Sequence, residues 1–152
     1  MGFRVVVAGD SAGVDYKDVI KADLEADPRI DEVIDAGITK GEDVDYPHVA
    51  VKAARMIADG KADRGVFICG TGMGVAMSAN KVKGIRAALA NNVELARLAR
   101  EHNDANVIAL GGRMQSLEAG YEIVATFLST EFSGEERHQR RIEQLAEYEA
   151  GR

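Results

Sequence analysis

The residues best suited to chemistry lie in the run Cys69-Gly70-Thr71-Gly72-Met73-Gly74. There an apolar stretch, Val66-Phe67-Ile68, ends in the chain's only cysteine and a glycine-rich turn opens a helical pattern. Glycines at alternate positions let the backbone approach a ligand closely, and the first N–H groups of a helix lack intrahelical partners and point at whatever binds there. The partial positive charge of a helix mouth favours an anion, a thiolate included. The alternative is an inert strand-end cysteine beside glycines that serve tight strand-to-helix packing.

Other segments carry polar groups of matching chemistry. Arg137 and Arg141 are four apart and share a helix face, with His138 and Arg140 flanking. Guanidinium forks bind phosphate oxygens through charge-assisted hydrogen bonds; a solvated face on which Glu136, Glu143 and Glu147 pair the arginines is the competing explanation. His102 closes another helical pattern, either as a cation at a helix C-terminus or as a general acid/base. Its neighbour Asn103 offers an amide donor or a cap. Asp10 follows the first apolar run, where it can cap a helix or hold a ligand hydroxyl. Asp45-Tyr46-Pro47 reads as a turn into a helix with proline in its first turn, leaving Tyr46 to line a rim. The Gly70-x-Gly72-x-Gly74 spacing is a poor dinucleotide fingerprint, because Val75 stands where the third glycine belongs and no acidic residue closes the next strand. A phosphate-binding loop of the Gly-Lys-Ser/Thr type is absent from the sequence.

The elements that must position these groups alternate. Strand-like runs at Phe3 to Ala8, Ile30 to Ile34, Gly65 to Cys69, Ile85 to Leu89 and Val107 to Leu110 are each followed by a helical pattern: Gly13 to Ala26, Pro47 to Asp59, Met73 to Asn80, Asn92 to Glu101 and Ser116 to Ser129. Such alternation predicts an α/β fold, a Rossmann-like three-layer sandwich of about five parallel strands with helices on both faces. The runs are almost wholly apolar, as strands covered on both faces require, and Leu24, Met56, Leu98 and Leu128 are expected to cover them. Ligands of open α/β sheets bind beyond the carboxyl ends of the strands, so Gly9-Asp10-Ser11, Cys69 to Gly74, Asn91-Asn92 and Gly111-Gly112-Arg113 should share one rim. A last amphipathic helix, carrying Ile142, Leu145 and Tyr148, has no strand after it and must dock on this subunit or on another.

At 152 residues and 46% hydrophobic, the chain is expected to form a single domain, residues 1–152, with a self-sufficient core. A net charge of −6 argues against nucleic acid or an anionic membrane as the main partner and leaves small phosphorylated metabolites as candidates. One cysteine excludes an intrachain disulfide, three scattered histidines give no metal-site spacing, and the first residues do not read as a secretory signal, so a cytoplasmic location is expected.

In order along nearly the whole chain, Gly9-Asp10, Asp45-Tyr46-Pro47, Ile68 to Gly74, Ala79-Asn80-Lys81, Gly84-Ile85-Arg86-Ala87, His102 to Asn106 and Arg137-His138-Gln139-Arg140-Arg141 resemble the ribose-5-phosphate isomerase B family. The resemblance implies metal-free, cofactor-free aldose–ketose isomerisation of a phosphosugar through a cis-enediolate. Cys69 matches the thiolate base, Thr71 a substrate hydrogen bond near the reacting carbons, and His102 with Asp10 the pair that opens the furanose ring. Asn103 matches a group that steadies the enediolate, and Arg113, Arg137, His138 and Arg141 match phosphate contacts. The last-helix residues are implied to come from the other subunit of a homodimer with shared sites, which can pair further into a tetramer. Substrate contacts are also implied for Tyr46, Gly70, Gly72, Met73 and Gly74. One departure stands out: most family members carry Asp-His after the first strand, whereas Asp10 is followed here by Ser11. Ribose 5-phosphate is the expected substrate, with erythrulose 4-phosphate and a non-catalytic phosphosugar-binding module as the alternatives.

Overall fold

A computed structural model describes residues 2–151. Its elements run β1 (Phe3–Gly9), α1 (Val14–Glu25), β2 (Ile30–Asp35), α2 (Tyr46–Ala58), β3 (Arg64–Cys69), α3 (Met73–Ala79), β4 (Ala87–Leu89), α4 (Val93–Asn103), β5 (Val107–Gly111), α5 (Leu117–Ser129) and α6 (Glu136–Glu149). The strands form one five-stranded sheet in the order β2-β1-β3-β5-β4, every pair parallel, so the architecture is the expected Rossmann-like sandwich.

Alternation along the strands divides the apolar residues between two cores. Val6, Ala8, Phe67, Cys69, Val107 and Ala109 pack with Val49 and Ala53 of α2 and Val75 of α3. Val5, Val7, Val66, Ile68, Ile108 and Leu110 pack with Ile20 and Leu24 of α1, Ala96 of α4 and Phe127 of α5. Burial on both faces explains why the runs of β1, β3 and β5 are continuous and not alternating in polarity, whereas edge strand β2, with Asp31, Glu32 and Asp35, stays partly exposed. Leu24 and Leu128 are core residues as expected, and Met56 packs at the margin of the first core. Leu98 is only half-buried, because Ala96 and Ala99 take the inward positions of α4.

Two elements differ from expectation. The fourth strand is three residues long and begins at Ala87, two residues later than the apolar run suggests. Asn106 explains the difference: its Oδ1 accepts the Arg86 N–H at 2.9 Å and its Nδ2 donates to the Gly84 carbonyl at 2.9 Å, so a side-chain amide binds this segment where a ladder would have. The last helix, α6, packs against α4 and buries only His138. Its Glu149 carboxylate accepts the Gly84 N–H at 3.2 Å. Between α6 and Ile85, Ala87 and Ala88, beside edge strand β4, lies a groove of 560 Å³. Leu145 and Tyr148 remain 52% and 67% exposed, so the apolar stripe of α6 is only partly used by its own chain.

Candidate active site

Parallel register brings the predicted rim together. Cys69 pairs with Gly111, and Gly9 with Ile68, so the loops after β1, β3 and β5 leave the sheet side by side. Cys69 is 5% exposed, and its Sγ accepts the Gly72 N–H at 3.2 Å. The turn that aims this N–H requires glycine: Gly72 has φ +83°, and a Cβ there would sit 2.8 Å from the Leu110 carbonyl carbon. Thr71 is exposed, with its Oγ1 accepting the Met73 N–H at 3.3 Å. Tyr46, at the start of α2, lies over Gly74 so closely that a Cβ there would meet its Cε1 at 2.5 Å. The absence of a side chain at Gly74 is therefore what lets the Tyr46 ring reach the glycine turn.

Arg113 is carried to the same place by backbone bonds. Gly112 N–H donates to the Cys69 carbonyl at 2.8 Å and Arg113 N–H to the Gly70 carbonyl at 3.1 Å, which zips the loop after β5 onto the glycine turn. The Arg113 guanidinium lies against Gly70, its Nη1 3.0 Å from where a Cβ would be. On the other side, Asp10 does not cap α1, whose N-cap is Gly13. Its Oδ1 instead accepts the N–H groups of Ala12 and Gly13, both at 3.1 Å, in a turn that holds Ser11 exposed at the rim. One chain thus gathers Asp10, Ser11, Tyr46, Cys69, Thr71, Met73 and Arg113 around the glycine turn.

The remaining predicted residues form a second cluster at the opposite edge of the sheet. Helix α4 returns from the rim to the start of β5, so His102 and Asn103 lie near the first residues of the strands. Arg86, just before β4, donates from Nε to the Asn103 carbonyl at 2.9 Å, and Gly65 N–H at the start of β3 donates to the Asn106 carbonyl. Along β3, five steps of about 3.3 Å separate the two edges by about 17 Å. The expected meeting of His102 with Asp10 does not occur within one chain. His102 instead stacks on His138, ring centroids 4.3 Å apart and planes inclined at 32°. Arg137 is exposed and paired with Glu135 at 3.1 Å, and Arg141 is exposed on the same helix.

His138, which the resemblance implies as a phosphate contact, is enclosed within its own chain. It is 4% exposed, its Nδ1 is 2.7 Å from Ser133 Oγ, and its Nε2 accepts from Arg137 Nε at 3.4 Å. Burial, followed by the neighbouring His102 and Arg137, pushes its pKa below the ordinary histidine value. Ser133 was not anticipated from the sequence; three residues before Glu136 it has the spacing of a capping box, but the N-cap of α6 is Glu135, and the Ser133 Oγ accepts the Glu135 N–H at 3.2 Å in the turn before the helix.

The fold and the rim together define a doubly wound α/β protein that offers a thiol, a glycine turn and an arginine to a small anionic ligand beyond its strand ends. A family model described as Ribose/Galactose Isomerase matches residues 5–145, and the chain belongs to this family. It is 41% identical to D-erythrulose-4-phosphate isomerase 2 of Mycolicibacterium smegmatis, over 98% of this chain and 99% of that protein. Ribose-5-phosphate isomerase B of Mycobacterium tuberculosis is 43% identical, over 97% of this chain and 91% of its own length. Among solved structures, ribose-5-phosphate isomerase B from Mycoplasma genitalium with bound ribulose 5-phosphate superposes with a TM-score of 0.90 at 39% identity, covering 100% of this chain and 99% of that one. No helix among the described residues is long and apolar enough to cross a membrane.

Proposed function

We propose that this protein is an aldose–ketose isomerase that interconverts ribose 5-phosphate and ribulose 5-phosphate. The observation that carries the proposal is Cys69, its Sγ held by the Gly72 N–H at the end of β3 while Arg113 lies over the adjacent Gly70. With the sugar phosphate anchored by arginine, the thiolate takes the C2 proton of the open aldose and the carbonyl electrons move to oxygen. Transfer of the O2 proton to O1 across the cis-enediolate and delivery of the carbon-bound proton to C1 give the ketose, with the C2 carbonyl formed as the C1–C2 double bond is lost. N–H groups of the glycine turn face the developing oxyanion, where preorganised donors are worth most, and Thr71 fixes the hydroxyls beside it.

Ring opening and the rest of the phosphate grip are assigned to a second copy of the chain. In that arrangement His102, Asn103, Arg137 and Arg141 of one subunit complete the rim of the other, opposite its Asp10. The partly used apolar stripe of α6 and the groove beside it provide a surface for the dimer. The test is proton NMR in D2O with ribose 5-phosphate and, separately, erythrulose 4-phosphate, following product and deuterium incorporation at the reacting carbons. Conversion of ribose 5-phosphate is expected; failure to convert or exchange either sugar sinks both substrate assignments.

A tetrose 4-phosphate is the second reading, favoured by Ser11. Its short, uncharged side chain stands exposed at the rim, and a relative similar over the full length is named for erythrulose 4-phosphate. Preferential conversion of that sugar in the same NMR experiment would select this reading.

A further inference from the structure

His138 has a geometry that the isomerase assignment does not explain. It is the only residue that α6 buries, yet it is polar, and both ring nitrogens are engaged inside its own chain. Arg137 Nε can only donate, so Nε2 of His138 must be the acceptor. The proton of the neutral ring then sits on Nδ1 and is donated to Ser133 Oγ at 2.7 Å, an oxygen that also accepts the Glu135 N–H. The face of this ring carries His102 at 4.3 Å between centroids. We propose that His138 is a positioning residue, an imidazole locked as the Nδ1–H tautomer by Ser133 and Arg137, whose face holds the His102 ring in its working orientation.

The surroundings support the assignment. The charged and titratable groups around His138 are His102 from α4, Arg137 and Arg141 from α6, and Glu135 from the preceding turn. Cations prevail among them, and burial adds to the cost of a positive charge on the ring. A ring that stays neutral beside His102 leaves any proton traffic to His102, which is what a single acid/base requires. A ring with both nitrogens occupied has no donor to offer phosphate, so the anion is left to the exposed Arg137 and Arg141. The inference rests on the proposed isomerase activity for its kinetic consequence, but its structural core does not.

The test combines tautomer spectroscopy with kinetics. Long-range proton–nitrogen correlation spectra of histidine-labelled protein resolve His48, His102 and His138, assigned by single substitutions. His138 is expected to show the Nδ1–H pattern at about pH 8, to gain a second proton only below the ordinary histidine value, and to be unmoved by added inorganic phosphate. Ser133→Ala should let it exchange tautomers and should lower kcat with ribose 5-phosphate by about tenfold, part of the ~10²–10⁴ that a positioned acid/base contributes. KM should hold, and deuterium exchange into ribulose 5-phosphate, which has no ring to open, should stay within about twofold. Ser133→Thr keeps the hydroxyl and should restore both kcat and the tautomer. An Nε2–H pattern, a His138 signal that follows inorganic phosphate, or a silent Ser133→Ala variant overturns the proposal. If the unmodified protein neither converts nor exchanges sugar, the isomerase reading fails instead, and the tautomer pattern still decides the lock.

Discussion

Removing the charge of Lys17 should weaken the fold through the partner it leaves behind. Lys17 is 1% exposed, with its stem packed against Gly37 and its ammonium 2.8 Å from Asp35 Oδ2, 3.0 Å from Asp18 Oδ1 and 3.0 Å from the Ile38 carbonyl. In Lys17→Met the stem volume is nearly kept, so little cavity forms. Asp35, whose side chain is 24% exposed, loses its main counter-charge and the Ile38 carbonyl its donor. Breaking a fully buried pair costs about 3–5 kcal/mol. Here Lys21 at 3.7 Å and the Gly37 N–H at 3.0 Å still face Asp35, so about 2–3 kcal/mol is expected. For a chain of this length that corresponds to a Tm lower by about 5–10 °C. Adding Asp35→Asn removes the stranded charge and should recover part of the loss. A Tm within about 1 °C of the unmodified protein would refute the argument that this pair holds the loop after β2.

The same pair sets a pH window. Burial works to lower the Lys17 pKa, but the bonds to Asp35 and Asp18 outweigh it and the value lies above the ordinary 10.5. A folded-state pKa raised above the unfolded one contributes stability that is complete below pH 10.5 and fades as pH climbs through the folded value. On the alkaline side, the Tm gap between the unmodified protein and Lys17→Met should therefore stay flat through neutral pH and narrow only in strong alkali. A gap that already narrows between neutrality and about pH 9 would assign the effect to another group.

Gly72→Ala forces a Cβ into a left-handed residue, at about 1–2 kcal/mol, and against the Leu110 backbone, so a thermal melt should fall and ribose 5-phosphate turnover should drop at least about tenfold; unchanged melting and turnover would show that the turn tolerates a side chain. Cys69→Ala should remove turnover by at least about a thousandfold while sugar-phosphate affinity, read by calorimetry, stays within a few fold. A phosphosugar-binding module would lose neither. Mixing Cys69→Ala with His102→Ala, each inactive alone, should restore about a quarter of normal activity, because half of the randomly paired dimers contain one intact site of two. A mixture that forms mixed dimers yet stays inactive would sink the shared site.

How much of this was legible in the sequence depends on the range of the interactions involved. The β-α alternation was readable because two-sided burial leaves continuous apolar runs such as Val66-Phe67-Ile68, and the rim followed because parallel strands end together. The short β4 was not readable: Asn106 replaces a ladder from twenty residues away, and nothing local to Ile85 or Arg86 signals it. Lys17, among Asp15, Asp18 and Lys21 on a mixed-charge helix, reads as surface, and only the fold puts Asp35 and Ile38 around it. Ser133 lies only five residues from His138, but a serine in a Ser-Gly-Glu-Glu turn gives no local sign that its hydroxyl meets an imidazole.

His102 is the instructive case, because two statements about it were both available and conflict within one chain. The resemblance pairs it with Asp10, at the carboxyl end of β1. Its place at the end of the helix that feeds β5 puts it at the amino edge of the same sheet. The structure upholds the second, and the two edges are about 17 Å apart across a continuous parallel ladder. No hinge within the sheet can close that distance without breaking the register from Val5↔Arg64 to Gly9↔Ile68. If both statements about His102 hold, the histidine that serves a given Asp10 belongs to another copy. Arg137 and Arg141 must then arrive with it, since His138 ties α6 to His102 in the same chain. In the proposed dimer, two of the three phosphate-binding arginines and the ring-opening group thus travel as one unit, and dilution below that dimer's dissociation constant should remove both together while leaving the Cys69 turn folded.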